Sequence, residues 1–149
     1  MDPNQTILIA EDDENDVHLL QMAIRRAGVN NPLQFVHDGQ EAIDYLCATG
    51  RFSDRNAYPF PGIIITDIKM PRKTGHEVLE WLSQHPECAI IPSIVLSASA
   101  EPEDVTKAYQ FGVSTYFRKP SKIDDLTEIM KAIGYYWGLA IKPKVPERC

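Results

Sequence analysis

Residues 63–67 read Ile63-Ile64-Ile65-Thr66-Asp67, a run of β-branched side chains that stops at an acid. A short apolar run without polar alternation is typical of a strand buried on both faces of a parallel sheet. A second run, Thr6-Ile7-Leu8-Ile9-Ala10, also ends abruptly in acidic residues. The two runs predict a buried parallel sheet whose strands end in polar side chains.

The rest of the chain alternates short strands with helical patterns. Five strands are predicted at 6–10, 33–36, 63–66, 93–96 and 115–117, and five helices at 13–27, 38–47, 75–83, 102–111 and 123–139. Strands that alternate with helices indicate an α/β fold, in which a doubly wound parallel sheet is covered on both faces. A long connection at 48–62, which contains Gly50, Pro59 and Pro61, is predicted to be a loop.

The length and composition of the chain are those of a globular protein with one domain. The 149 residues, 44% of them apolar, fit a single domain, with a core at about 6–139 and a frayed tail at 140–149. A net charge of −6 argues against broad attraction to nucleic acid. No apolar run approaches the ~20 residues that span a bilayer, and residues 1–5 lack the features of a signal peptide. We therefore expect a cytoplasmic protein that binds neither nucleic acid nor membrane.

The three cysteines are too few and too widely spaced for a disulfide scaffold or a zinc site. Cys47 falls within a predicted helix and is expected to be a core residue. Cys88 and Cys149 are expected to be ordinary thiols. This usage of cysteine fits a reducing compartment.

Polar residues collect where the predicted strands end. They are Glu11, Asp12 and Asp13 after the first strand, Asp67 after the third, Ser97 after the fourth, and Arg118, Lys119 and Pro120 after the fifth. The carboxyl ends of parallel strands meet at one edge of the sheet, where such folds bind ligands. Carboxylates that gather there would repel one another, and Mg²⁺ would offset that repulsion. With a lysine and a hydroxyl beside them, the group could support phosphoryl transfer to a carboxylate.

Four motifs in this order resemble the receiver domain of two-component response regulators. They are Ile7-Leu8-Ile9-Ala10-Glu11-Asp12-Asp13, Thr66-Asp67-Ile68-Lys69-Met70-Pro71, Ser97-Ala98, and Tyr116-Phe117-Arg118-Lys119-Pro120. The resemblance covers nearly the whole chain. It implies a flavodoxin-like sheet of five parallel strands in the order 2-1-3-4-5, with helices on both faces.

The resemblance implies a phosphoacceptor and a metal site. Asp67 matches the residue that becomes an aspartyl phosphate. Glu11 and Asp12 match the acidic pair, with Asp12 as the direct ligand of Mg²⁺, and the backbone carbonyl of Lys69 would complete the ligand set. The third acid, Asp13, leaves the register of the pair open, although the length of the strand favours Glu11 and Asp12 and leaves Asp13 as favourable charge at a helix N-terminus.

The resemblance also implies a switch. Lys119 matches the lysine that pairs with the phosphoryl group, and the Lys119-Pro120 peptide bond is usually cis in the family. Ser97 matches the switch hydroxyl that assists at the catalytic site, and Tyr116 the aromatic switch residue. An alternative of equal weight is that Tyr116 is a half-buried packing residue on a short strand and has no role in switching.

The function implied is that of a stand-alone response regulator. A sensor histidine kinase would phosphorylate Asp67, and the domain would catalyse only its own phosphorylation and dephosphorylation. Output would pass through a downstream protein or a phosphotransfer partner, because 149 residues leave no room for an attached output domain. The long 48–62 connection and the aromatic segment after the last helix resemble the subgroup paired with phytochrome kinases.

The same residues leave two other functions open. The first is a magnesium-dependent phosphatase or phosphotransferase of small molecules with an aspartyl intermediate. Such enzymes usually carry a second acid two residues after the nucleophile, where this chain has Lys69. The second is a receiver-like module that is never phosphorylated, against which the presence of Asp67, Asp12 and Lys119 weighs.

The last predicted helix carries more apolar side chains than one core face needs. Tyr135, Tyr136 and Leu139 are left over from its inward stripe. Either they form an interface, for which we predict a homodimer, or the tail folds back and covers them.

Overall fold

The structure is a computed structural model that describes residues 5–149. The prediction that residues 1–4 belong to no signal peptide lies outside the described residues. The strands are β1 (Ile7–Ala10), β2 (Leu33–Val36), β3 (Ile63–Thr66), β4 (Ser93–Ser97) and β5 (Thr115–Arg118). The helices are α1 (Glu14–Arg26), α2 (Gly39–Cys47), α3 (Gly75–Ser83), α4 (Pro102–Gln110) and α5 (Ile123–Leu139).

The five strands form one parallel sheet in the order β2-β1-β3-β4-β5. This confirms the predicted doubly wound α/β fold. In the central register, Ile9 of β1 lies between Phe35 of β2 and Ile65 of β3. All of β1 and β3 is buried, as their unbroken apolar runs predicted.

Side-chain caps fix where three of the helices begin. Asp13 is the N-cap of α1 and accepts hydrogen bonds from the backbone N–H of Asn15 and Asp16. Asp38 caps α2 in the same way, and Thr74 begins α3 with a capping box that includes Glu77. Asp13 and Asp38 follow the last residues of β1 and β2 by three and two residues, so these two caps set how the chain leaves the sheet there.

Helices cover both faces of the sheet and build a core on each. One core joins β1 and β3 to α1 and α5, and Trp137 of α5 is among its most deeply buried side chains. The other joins the sheet to α2 and α3, with Tyr45 fully buried. Helix α4 packs against β4 through Ala108 and Val95.

The connection at 48–62 is less irregular than predicted. It contains a 3₁₀ helix, Gly50–Phe52, and buries Phe52 and Phe60 in the α2–α3 core. The ring of Tyr58 packs edge-on against Phe52 and Tyr45. The sequence indicated a loop because Gly and Pro punctuate it, whereas its aromatic side chains anchor it to the core.

The tail at 140–149 is packed rather than frayed, and a disulfide joins Cys88 to Cys149. The expectation of two ordinary thiols was therefore wrong. The backbone N–H of Cys149 donates to the carbonyl of Leu46 at 3.1 Å, and Val145 packs against the α2–α3 core. The tail thus passes from the end of α5 to the opposite face of the sheet.

Within residues 5–149, no helix combines the length and the apolar character that crossing a membrane requires.

Candidate functional site

Three carboxylates meet at the carboxyl edge of the sheet. Glu11 and Asp12 directly follow β1, Asp67 directly follows β3, and one oxygen from each lies within 4.8 Å of the others. Glu11 is 2% exposed and Asp67 is half-buried, while Asp12 faces solvent. The strand ends bring these acids together as the sequence predicted.

Backbone contacts hold Asp67 in place. Its N–H donates to the carbonyl of Ala10 at 3.0 Å, which continues the pairing of β1 and β3 by one residue. Its Oδ1 accepts a 2.6 Å hydrogen bond from the N–H of Ile68. A Cβ at position 75 would overlap the carbonyl oxygen of Asp67, so the close approach of α3 requires Gly75. Asp67 therefore keeps Oδ2 directed at the other groups of the site.

Lys119 follows β5 and reaches the acids from the far side. Its Nζ donates to Glu11 Oε1 at 2.5 Å, to Asp16 Oδ2 at 2.9 Å and to Asp67 Oδ2 at 3.1 Å. An ammonium has three N–H donors, so these carboxylates satisfy it completely. Its side chain is only 12% exposed, which places the pairs in a region that water screens weakly.

Asp16 is the residue of this group that the sequence analysis missed. It lies in the first turn of α1, and its N–H is held by the cap residue Asp13. The one signal in the sequence was an acid in the first turn of the helix predicted to follow the acidic pair, which by itself does not indicate a contact with Lys119.

Burial and charge set the ionisation of Glu11 and Lys119. Burial is the largest influence on Glu11 and raises the pKa of its carboxyl despite the neighbouring ammonium. Burial acts to lower the pKa of Lys119, but its hydrogen bonds with Glu11 and Asp16 outweigh that effect and raise it. Lys119 is therefore a firmly charged cation beside Asp67.

Ser97 and Tyr116 line the other side of the site. Ser97 is fully buried at the end of β4, and its Oγ accepts the N–H of Ser99 at 3.2 Å. Ser97, Asp67 and Arg118 line a cleft of about 460 Å³. Tyr116 is half-buried and donates from its hydroxyl to the carbonyl of Ser99 at 2.8 Å. Burial raises the pKa of this hydroxyl, although hydrogen bonds with Ser97 and Ser99 oppose the shift.

Asp13 stands at the N-terminus of α1, where it was expected to supply favourable charge, and its side chain also caps the helix. The Lys119-Pro120 peptide bond is trans, since no cis peptide bond occurs among residues 5–149, so the expected cis isomer was wrong.

The donor set fits a hard divalent cation. Glu11, Asp12 and Asp67 offer carboxylate oxygens only, which are the ligands that Mg²⁺ takes along with water. The exposure of Asp12 leaves room for such water. Lys69 lies at the rim of the same cleft, two residues after Asp67, where its backbone carbonyl could serve as a further ligand.

An apolar patch lies away from this site. It consists of Tyr135, Tyr136 and Leu139 on α5 with Ile141 beyond it, and these side chains are 74%, 60%, 69% and 100% exposed. The tail does not fold back over them, so that alternative is wrong.

The sequence and the fold are similar to those of known proteins. Residues 7–131 match the family described as the response regulator receiver domain. The chain is 30% identical to the response regulator Rcp1 of Synechocystis sp. strain PCC 6803 over 135 residues, 91% of this chain and 90% of that relative. A Mn²⁺-bound form of Rcp1 matches it with a TM-score of 0.82, 28% identity and coverage of 94% and 99%.

Two further solved structures are similar. One is response regulator RPA3017, in red light signaling of R. palustris, with a TM-score of 0.89 and 34% identity over 95% of this chain and 99% of that one. The other is the phosphorylated cyanobacterial phytochrome response regulator RcpA, with a TM-score of 0.86 and 31% identity over 95% and 99%.

Proposed function

The chain belongs to the response regulator receiver domain family, and we propose that it accepts a phosphoryl group on Asp67. Aspartyl phosphorylation and dependence on Mg²⁺ are features of this family, and the chain resembles the phytochrome response regulators within it. In this proposal residues 6–139 are the core of a single receiver domain and 140–149 are its tail.

The observation that carries this proposal is the contact of Lys119 Nζ with Asp67 Oδ2 at 3.1 Å, inside the carboxylate cluster. An oxygen of Asp67 attacks the phosphorus of a phosphohistidine in line. The P–O bond forms as the P–N bond breaks, and the imidazole keeps the electron pair and takes up a proton. Lys119 then exchanges its contact with Asp67 for one with a phosphoryl oxygen and neutralises part of its charge.

Glu11, Asp12, Asp67 and the carbonyl of Lys69 would hold Mg²⁺, which when bound supplies charge neutralisation for the phosphoryl oxygens. Asp12 is the exposed member of the set and is free to bind directly, whereas Glu11 is engaged by Lys119. The domain thereby catalyses its own phosphorylation and, when water attacks the aspartyl phosphate, its own dephosphorylation.

The switch proposed here runs through Ser97 and Tyr116. A phosphoryl dianion on Asp67 attracts the Ser97 hydroxyl across the cleft that both residues line. That movement breaks the hydrogen bond between Ser97 and the N–H of Ser99, whose carbonyl holds the Tyr116 hydroxyl. Release of Tyr116 lets its ring turn inward and repacks the surface formed by α4, β5 and α5.

The partners proposed are proteins. A sensor histidine kinase, of the phytochrome type by similarity to RcpA and RPA3017, supplies the phosphoryl group in the cytoplasm. A downstream protein or phosphotransfer partner reads the repacked surface. The exposed Tyr135, Tyr136 and Leu139 support a homodimer through α5.

Incubation with acetyl phosphate and Mg²⁺, read by intact mass, tests the proposal. We expect the mass of one phosphoryl group to be added, and a chelator to prevent the addition. Rapid turnover of small phosphate esters without a stable adduct would instead support the phosphatase alternative. No adduct from either acetyl phosphate or a phosphorylated kinase would support a module that is never phosphorylated.

A further inference from the structure

Cys88 and Cys149 are joined across 61 residues of sequence. Their Cα atoms are 6.0 Å apart, inside the range that a disulfide spans without backbone movement. Cys88 is fully buried, and Cys149 is partly exposed at the surface of the α2–α3 core. The fold therefore presents one sulfur to solvent and shields the other.

Few other contacts hold the tail. Arg55 Nε donates to the carbonyl of Glu147 at 2.6 Å, and the N–H of Cys149 donates to the carbonyl of Leu46 at 3.1 Å. Val145 contributes an apolar contact, while Ile141 is completely exposed. Each such hydrogen bond stabilises the docked tail only modestly, and the conformational entropy lost when each tail residue is ordered opposes that stabilisation. The covalent bond is thus the main restraint on the path of the tail.

This pair is remote from the phosphorylation site. Cys88 lies in the connection between α3 and β4, before the first residue of β4, whereas Asp67 and Lys119 follow the last residues of their strands. The tail reaches Cys88 from the end of α5. Oxidation or reduction of the pair therefore changes the tail without touching a residue assigned to phosphoryl transfer.

We propose that Cys88 and Cys149 are a redox modification site, at which exchange with a low-molecular-weight disulfide such as glutathione disulfide fixes the tail on the α2–α3 face. The Cys149 thiolate attacks the glutathione disulfide, forms a mixed disulfide and expels one glutathione thiolate. The Cys88 thiolate then attacks the sulfur of Cys149 and expels the second. The two protein thiols lose two electrons and two protons, and the glutathione disulfide gains them as two glutathione molecules.

The order of attack follows from exposure. In the disulfide-bonded structure Cys149 is the partly exposed partner and Cys88 the buried one, and Cys149 lies on the tail that reduction frees, so we assign the first attack to Cys149. Cys88 then resolves the mixed disulfide when the tail docks, since the docked tail places the two Cα atoms 6.0 Å apart. The third cysteine, Cys47, lies in α2 and is free.

The test uses the whole chain, equilibrated in glutathione buffers of increasing oxidised fraction and then alkylated after acid quenching. We expect intact mass and peptide mapping to show a Cys88–Cys149 disulfide that forms and disappears reversibly, with one alkylated thiol left at Cys47. Cys47→Ser should form the same disulfide, and Cys149→Ser should not. A persistent glutathione adduct on Cys149, or alkylation of all three thiols in every buffer, would overturn the proposal.

A second measurement follows the tail. Trypsin can cleave the tail after Lys144 and after Arg148, whereas Pro143 blocks cleavage after Lys142. Cleavage after Lys144 is the one to follow, because a protease needs local unfolding of the segment around the bond and the disulfide at Cys149 restrains that segment. We expect cleavage after Lys144 to be at least about tenfold slower in the oxidised than in the reduced protein, and equal under both conditions in Cys149→Ser. Equal rates in oxidised and reduced wild type would show that the disulfide does not govern the tail. Neither readout depends on phosphorylation, so failure here leaves the function proposed for Asp67 unaffected.

Discussion

The ammonium of Lys119 lies 2.9 Å from the carboxylate of Asp16, a residue outside the cluster of Glu11, Asp12 and Asp67. Asp16 therefore adds a fourth carboxylate beside the site at which we propose that Mg²⁺ binds and Asp67 is phosphorylated. Its side chain is 30% exposed, so its field is screened only in part. It shares the Lys119 ammonium with Glu11 and Asp67, and under the proposed phosphorylation it would remain a partner for that ammonium.

We predict that Asp16→Asn weakens binding of Mg²⁺ about three- to tenfold. Removal of one negative charge near the site lowers the attraction for the cation and leaves more of the Lys119 charge uncompensated. Calorimetric titration of the unphosphorylated protein measures the effect, and Asp16→Glu should retain most of the wild-type affinity. Equal affinity in wild type and Asp16→Asn would show that Asp16 does not contribute to the field at the site.

Replacement of Asp67 by Asn should abolish phosphoryl uptake and leave the fold intact. An amide is nearly isosteric with the carboxylate and can still accept the N–H of Ile68, but it cannot attack phosphorus. Intact mass after incubation with acetyl phosphate and Mg²⁺ measures uptake, and circular dichroism monitors the fold. An undiminished yield of the phosphorylated species would contradict the assignment of Asp67.

Binding of Mg²⁺ should be modest in affinity and should require Asp12. Magnesium retains several waters and takes few protein ligands, and Asp12 is the exposed carboxylate of the set. We expect Asp12→Ala to lose binding in a calorimetric titration. Asp13→Asn removes the same charge one residue away and preserves a capping side chain, so it should bind nearly as wild type does. Equal binding by wild type and Asp12→Ala would place the metal elsewhere.

The chain should form a homodimer of micromolar affinity through the exposed patch on α5. Each of Tyr135, Tyr136 and Leu139 contributes on the order of 1.5–3 kcal/mol if fully buried, against about 4–15 kcal/mol of lost rigid-body freedom. Sedimentation velocity over a range of concentrations, with and without an acyl-phosphate mimic, measures the association. The double variant Tyr136→Ala/Leu139→Ala should be monomeric, whereas Ile90→Ala, at another exposed apolar residue, should associate normally. A wild type that stays monomeric in both states would rule out the dimer.

Alkaline pH should destabilise the protein through Tyr45. Burial raises the pKa of Tyr45 to about 12, and its hydroxyl donates to the carbonyl of Pro59 at 2.7 Å. The unfolded chain releases this proton near pH 10, so the contribution is complete below that pH and is lost as the pH rises toward 12, at up to about 1.4 kcal/mol per pH unit.

The check is denaturant unfolding of wild type and Tyr45→Phe between pH 7 and about pH 11.5. The variant lacks one buried hydrogen bond and should be about 1 kcal/mol less stable at neutral pH. It should lose less stability with rising pH, so that the difference between the two proteins narrows and then reverses in sign near the top of that range. A constant difference across the range would show that Tyr45 does not titrate differently in the folded and unfolded states.

The sheet could be predicted from the sequence because its signal is local. Residues 63–66 are apolar and β-branched without alternation, and the acids that follow the strands had to converge once the strands were parallel. The ion pair between Asp16 and Lys119 could not be predicted from the sequence, because it depends on the direction in which α1 continues from β1. The disulfide depends on the path of the tail, which brings Cys149 to Cys88 across 61 residues. The isomer of the Lys119-Pro120 bond could not be predicted either. An X–Pro bond prefers trans over cis by only about 0.5–1 kcal/mol, so the contacts of the folded protein determine which isomer is present.

Two segments border the cleft beside Asp67, one after β3 and one after β4, and they are held by different kinds of hydrogen bond. Backbone hydrogen bonds hold the segment after β3 at both ends. The N–H of Gly39 donates to the carbonyl of Lys73 at 2.9 Å, and the N–H of Gly75 donates to the carbonyl of Ile68 at 2.8 Å. A Cβ at either glycine would collide with the opposing backbone, so the backbone is closely packed at both contacts. The segment after β4 is held through the Ser97 and Tyr116 hydroxyls, which can reorient. If Asp67 is phosphorylated as proposed, the resulting displacement should therefore pass to α4 and β5, on the side held by hydroxyl groups, rather than to the segment after β3.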